Sequence, residues 1–418
     1  MKKLWVAPLH NRLRITCSVA TIIGFACLLP GQFACAEEVR ALWVIRTSLG
    51  SVTKIQALVE EAYESGFNTL LVQVRGRGDA LYVSDREPRA ELLAGSPPFD
   101  PLSTVIIEAR ARGMKTHAWV NTHIVWGPVT RPLSSQHLVN ANPDWLAVPR
   151  DLGRELHERD PSSPYYLQRL TEFAANTPSV EGLFTSPSHP AVQERVVAIW
   201  MDLASNYDLD GIHFDYIRYP SPQFDYSRGA LNRFRGWVRP RVSSRRYAEL
   251  DAASWDDPYA IADGLPDLWN RFRRDQISVL VRRVYRAVKQ IRPDLVVSAA
   301  VLPDHNYASK YRFQAWWTWL ADGFLDVAVP MAYTDNRKRF SVLVEDASMS
   351  IGTAKRVWIG VGAYKNSVKD TLWQIRHARS QGFGGVALFS YEFLSSDRPD
   401  REVSTTLKSI GIAAFGDS

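Results

Sequence analysis

Eight short apolar runs recur along this chain, at 40–46, 69–75, 115–121, 211–216, 295–301, 325–333, 357–364 and 385–391. Each is rich in Val, Ile, Leu or Phe and reads as near-continuous rather than alternating. Strands buried on both faces have this pattern, because helices cover each side of a parallel sheet. Helical periodicity fills the gaps, at 54–65, 101–112, 191–206, 269–292, 313–321, 342–350 and 368–381, and a last helix is predicted over 401–410. Gly66, Gly113 and Gly382 each stand between a helical run and the next strand, where a left-handed residue ends a helix. Eight strand–helix units predict an α/β fold, a (β/α)8 TIM barrel. A doubly wound open sheet is the rival, but no glycine-rich dinucleotide fingerprint follows the first strand.

A minimal barrel takes about 250 residues, so long insertions are expected. The two longest connections, 122–190 and 217–267, follow the third and fourth strands. Loops that follow strands form the face where barrel active sites lie. These two carry Trp126, Trp145, Tyr165, Phe224, Trp237 and Trp255 among many aromatics. Two readings fit: walls of a sugar-binding cleft, or a small satellite core.

The first 36 residues read as an export signal. Lys2, Lys3, Arg12 and Arg14 make a positive start, 15–29 is apolar, and Ala34-Cys35-Ala36 has the small residues of a cleavage site. About 15 apolar residues is short for a membrane span of roughly 20. Cleavage near Ala36, a periplasmic or secreted location and a barrel domain over 37–418 are therefore expected, ahead of a lipid anchor on Cys35. All three cysteines fall inside the signal, as do four of the 50 basic residues and none of the 44 acids. The formal charge of the remainder drops from +6 to +2, so the basic balance is no nucleic-acid footprint. No thiol chemistry and no cofactor is implied, and no stable membrane span is expected once the signal is removed.

The richest segment is DLDGIHFDYIRYP, 208–220. A strand puts residues two apart on one face, so His213 and Asp215 point together at a strand end, with Arg218 and Tyr219 just beyond. The other strand ends supply Arg46, Arg75, Asn121, His123, Asp304, Tyr333, Asp335, Tyr364 and Glu392. Polar groups crowd these ends, whereas Lys115 and Asp294 at the opposite ends look like ordinary surface. A purely structural barrel has no reason for that asymmetry.

Several blocks resemble the bacterial glycosyl-hydrolase-like family ten, TIM-barrel proteins. They are QVRGRGDALY (73–82), FDPLSTVIIEARARGMKTHAWVN (99–121), the segment from SHPAV to YIRYP (188–220), FRRDQI (272–277) and GVALFSYEFL (385–394). One departure is Ser186-Pro187, where family members usually carry aspartate before the proline. The resemblance implies an enzyme acting on polysaccharide, and for some members on peptidoglycan glycan strands stripped of stem peptides.

Glycoside hydrolysis needs two carboxyl groups across the scissile bond. Asp215 is the first candidate, expected to stay ionised beside Arg75 and Arg218 and to act as nucleophile or base. Glu392, Asp335 and Asp304 are the candidates for its partner. Arg46, Arg75, Asn121, His123, His213, Arg218, Tyr219, Tyr333 and Tyr364 are expected to bind or orient substrate. The plain alternative for Asp215 is a salt bridge that orders the strand end. A non-catalytic carbohydrate-binding barrel stays open, as does a metal-dependent hydrolase or deacetylase built on His123, His213 and Asp215. No HExxH-like spacing supports the last.

Overall fold

The computed structural model describes residues 37–416 apart from 96–98, 128–129, 350–353 and 396–405. The expected export signal lies outside the described residues. All eight expected strands form: β1 (Val39–Val44), β2 (Thr69–Arg75), β3 (Lys115–Asn121), β6 (Gly211–Asp215), β7 (Val296–Val301), β8 (Val327–Pro330), β9 (Trp358–Val361) and β10 (Gly385–Leu388). They pair in parallel, in the order β8-β7-β6-β3-β2-β1-β10-β9. Parallel bridges Ala328–Val357 and Met331–Gly360 link the two end strands and nearly close the barrel.

Side-chain alternation sorts each strand into two cores. Ala41 and Trp43 of β1, Leu71 of β2, Trp119 of β3, Val329 of β8 and Trp358 of β9 fill the barrel interior. Their neighbours Leu42, Val44, Leu70 and Val72 pack outward against the helices. Both faces of each strand are therefore dry, which accounts for the continuous apolar runs. At the start of β6, Gly211 lets the strand lie flat against the His117 ring. A Cβ there would sit 2.4 Å from Nδ1.

Local chemistry sets the helix ends. Side chains of Ser51, Asp100, Ser163, Ser227, Ser243 and Ser367 each accept an N–H from the first turn of the helix that follows. Gly66, Gly113 and Gly382 have positive φ, at 76°, 68° and 75°, as helix-ending residues do. The last helix is seen at Thr406–Phe415; the first part of the expected span, 401–405, lies outside the described residues.

The connection from β3 to β6 carries an antiparallel pair, β4 (Ile124–Trp126) and β5 (Leu183–Phe184), together with several helices. The connection from β6 to β7 builds a hydrophobic cluster of its own from Tyr226, Phe234, Val238, Tyr259, Trp269 and Phe272. Most aromatics of this second insertion thus follow the satellite-core reading. Trp255 does not, and stands exposed.

Candidate active site

Asp215 is the last residue of β6, in register with Asn121 of β3. The next residue, Tyr216, has φ +49°. That region is uncommon for any side chain and a real outlier for a bulky one, and such outliers gather at functional sites. The bend brings the Tyr216 N–H back onto Asp215 Oδ1 at 2.6 Å. Arg218 Nη1 donates to the same oxygen at 3.0 Å. The Arg218 guanidinium also lies 4.2 Å from the centre of the Tyr216 ring, a cation–π contact. Burial raises the Asp215 pKa above the ordinary carboxylate value, and Arg218 and the Tyr216 N–H offset it only in part.

An aromatic wall stands across the barrel mouth. Tyr333 packs edge-on to Trp43 at 6.2 Å and to Tyr364 at 6.1 Å, and against Phe389 at 5.6 Å. Its hydroxyl is buried and has no hydrogen-bond partner among the described residues. Burial pushes its pKa well above the ordinary value, and the charges of Asp215 and Arg218 reach it. Tyr333, Asp215, Tyr216 and Arg218 therefore share one site.

The other expected residues divide. Arg46 packs over Gly76 and feels Asp79 and the Tyr216 hydroxyl, so it borders the same mouth. Asn121 is buried, accepting from Trp119 Nε1 at 2.9 Å and donating to the Gly76 carbonyl at 3.0 Å. His123 is fully buried with Nδ1 on the Thr185 hydroxyl at 3.0 Å and Nε2 unpartnered among the described residues. Burial lowers its pKa to about 3. Tyr219 is packed in the core, its ring edge-on to Phe313 at 5.3 Å.

His213 lies two residues deeper in the barrel than Asp215. Trp43 Nε1 donates to its Nε2 at 3.3 Å, so Nε2 carries no proton. Nδ1–H then donates to Ser298 Oγ at 2.9 Å, and the Ser298 hydroxyl in turn donates to the Ile212 carbonyl at 3.2 Å. Burial holds this imidazole neutral, with a pKa of about 3. Both nitrogens are engaged within the barrel, and no group of three metal-ligating side chains assembles among the described residues.

Arg75 departs from expectation. The β2–β3 register shifts between Gln73 and Arg75, as at a β-bulge. The guanidinium is carried under the β3 edge, to the Asn121 carbonyl and to Glu87 at 3.5 Å. Among the described residues Arg218 is the arginine paired with Asp215, so the expectation that Arg75 also stands beside it is corrected.

Among the expected partner carboxylates, Glu392 Oε1 accepts from Ile45 N and Ser48 Oγ, both at 2.7 Å. It ties the end of β10 to the turn after β1, and burial raises its pKa. Asp304 caps the helix His305–Tyr311 through Tyr307 N at 2.9 Å. Asp335 is exposed in the loop after β8. None of these three is among the principal influences on Asp215. Glu181 is: this exposed carboxylate acts on Asp215, Tyr216 and Arg218 together. Glu181, Phe184, Arg218, Pro220, Leu302 and Arg312 line a cavity of about 100 Å³ beside it. Tyr216 and Glu181 were not anticipated. Tyr216 sits in the right motif, but no residue type announces its backbone; Glu181 arrives from the long insertion, where no local pattern marks it.

The fold is shared with carbohydrate enzymes. The glycoside hydrolase domain of PgaB (BpsB) from Bordetella bronchiseptica superposes with a TM-score of 0.60 at 15% identity, covering 90% of this chain and 99% of that one. The β-galactosidase Gan42B from G. stearothermophilus gives 0.59 at 14%, covering 91% and 57%. In sequence, the chain is 25% identical over 328 residues to glycosyl hydrolase DigH of Escherichia coli (strain K12), a match spanning 72% of this chain and 63% of the relative. Glycosyl hydrolase YngK of Bacillus subtilis (strain 168) is 23% identical over 398 residues, 85% of this chain and 67% of that protein. Residues 38–374 match the family model described as glycosyl hydrolase-like 10, and the chain belongs to that family.

Proposed function

We propose that the protein is an exported glycoside hydrolase acting on bacterial cell-wall polysaccharide, with peptidoglycan glycan strands freed of stem peptides as the substrate class. The observation that carries this reading is a buried carboxyl, Asp215, bonded to Arg218 and the Tyr216 N–H at a strand end, with the exposed carboxylate Glu181 lining a cavity with that same Arg218. Two carboxyl groups in unlike surroundings, one buried and one open to water, can divide the roles of acid and base. In this reading Asp215 is the acid that protonates the glycosidic oxygen as that bond breaks. Glu181, open to water and next to Arg218, acts from the other side as base or nucleophile. The Tyr333 hydroxyl, unpartnered within the described residues, donates to a sugar oxygen in the cleft. Family membership and the barrel neighbours support the reaction class; the substrate rests on the resemblance of the strand-end motifs.

A second reading is a carbohydrate-binding barrel without turnover. It draws on Glu392 and Asp304, both committed to structural hydrogen bonds. One assay separates the two. The purified protein is incubated with peptide-free glycan strands and with intact sacculi, and new reducing ends are counted. Release from peptide-free strands, lost by several orders of magnitude in Asp215→Asn with the fold retained, is the expected result. Binding without release supports the second reading, and unchanged release by Asp215→Asn overturns the role given to Asp215. Release that stops when a chelator is added points instead to metal-dependent chemistry.

A further inference from the structure

The second insertion holds a feature that the strand-end site does not use. Trp255 is 88% exposed, the most exposed large hydrophobic side chain among the described residues. Single exposed apolar residues are common and need no explanation. Trp255, however, lines a cavity of about 630 Å³, a size typical of ligand pockets. Arg154, Glu158, Arg228, Asn232 and Arg235 line it too, above a floor of Phe234 and Ile261. No strand-end residue is among the lining groups.

The turn that carries the indole is ordered by its backbone. Trp255 follows the helix Ser244–Ala253, and its N–H donates to the Ala252 carbonyl at 3.3 Å. The Asp256 and Asp257 N–H groups both return to the Ala253 carbonyl, at 3.3 and 3.1 Å. Little ordering remains for the turn when a ligand arrives.

The charges indicate which ligand fits. Arg228 pairs with Glu158 at 3.6 Å, Arg235 with Asp251 at 3.1 Å and Arg154 with Asp257 at 2.8 Å. Each cation on the wall already has an anion, so a polyanion finds no unpaired cation there. A protein partner needs an apolar centre, and this wall is largely polar. A flat exposed ring beside planar amide and guanidinium groups suits a sugar. The C–H face of a pyranose stacks on indole while its hydroxyls bond to the polar rim.

We propose that Trp255 and this cavity form a second glycan-binding platform, distinct from the strand-end site, that holds a polysaccharide chain through one of its uncharged sugar units, such as N-acetylglucosamine. The inference rests on the proposed function for the class of ligand only. Its role is to keep the enzyme on a long polymer between cleavages, since a tethered second contact raises the local concentration of chain at the active site.

The test uses the full protein carrying Asp215→Asn, so that bound polymer is not consumed. Its co-sedimentation with chitin, an insoluble and uncharged polymer of N-acetylglucosamine, is compared with that of the Asp215→Asn/Trp255→Ala double variant, and N-acetylglucosamine hexasaccharide is titrated while tryptophan fluorescence is followed. Trp255→Ala is expected to weaken polymer binding about tenfold and to remove the part of the fluorescence change that the hexasaccharide produces at an exposed indole. Trp255→Tyr, which keeps a ring, should restore most of the binding. On the active enzyme, Trp255→Ala should slow release from polymer while leaving short soluble fragments unaffected. Polymer binding within twofold of the parent, or affinity for duplex DNA in place of glycan, overturns the platform. Glycan binding through Trp255 by an enzyme that cleaves nothing upholds the platform and removes only the hydrolase reading.

Discussion

Arg218 donates to Asp215 Oδ1 at 3.0 Å from three residues along the same chain segment. The pair is therefore set by the local bend rather than by distant packing. Burial raises the Asp215 pKa and Arg218 pulls it back. Arg218→Gln removes the opposing charge, so Asp215 should keep its proton to higher pH. The pH profile of kcat/KM tells which role Asp215 plays. As a proton donor it governs the alkaline limb, and Arg218→Gln is expected to move that limb upward. Movement of the acid limb instead would make Asp215 the base or nucleophile.

Glu392 is expected to be structural. Glu392→Gln keeps an oxygen for Ile45 N and Ser48 Oγ, and its new amide can reach the Ser390 hydroxyl nearby. Turnover and thermal midpoint should both stay close to the parent. Glu392→Ala leaves the Ile45 N–H unmet and should cost about 1–3 kcal/mol of stability. A Gln variant that folds normally but has lost turnover by orders of magnitude would make Glu392 the second carboxyl group.

Tyr333→Phe should separate stability from activity. Its hydroxyl is buried with no partner among the described residues, an arrangement that costs desolvation energy. Removing it should leave the thermal midpoint unchanged or higher. Activity should fall about tenfold or more if the hydroxyl donates to the transition state. Full activity together with raised stability would leave Tyr333 a packing residue.

Three buried imidazoles, His117, His123 and His213, have pKa values lowered by burial to about 3. In the unfolded chain they take protons near pH 6.5. Their contribution to stability is present above about pH 6.5 and is lost as pH falls toward 3, at roughly 1.4 kcal/mol per pH unit for each. Asp215, Glu87 and Glu392 work in the opposite sense, because burial raises their pKa values. Comparing a variant with the parent isolates one group. His117→Phe should make the loss of stability between pH 6.5 and 5 shallower by about 1.4 kcal/mol per pH unit, read from urea midpoints. An unchanged slope would mean that His117 is protonated in the folded state.

The barrel was legible because its strands are dry on both faces, and that requirement writes continuous apolar runs into β1, β2 and β6. The Asp215–Arg218 pair was legible for a related reason, since both partners lie within four residues. Arg75 was misjudged because a bulge after Gln73 turns a side chain that strict alternation would aim at the cleft. Glu181 was missed because its place beside Asp215 is fixed only when the first long insertion folds back. The aromatics of the second insertion were ambiguous until packing divided them between a satellite core and one exposed indole.

That satellite core bears on how the protein can change over generations. Trp255 and its cavity rest on Phe234 and Ile261, which belong to a cluster separate from the one that holds the strands. Distant, unconnected sites contribute independently to stability. Substitutions around the platform can therefore accumulate without eroding the scaffold that aligns Asp215. The insertion can drift toward a new polymer while the chemistry at the strand end stays as it is.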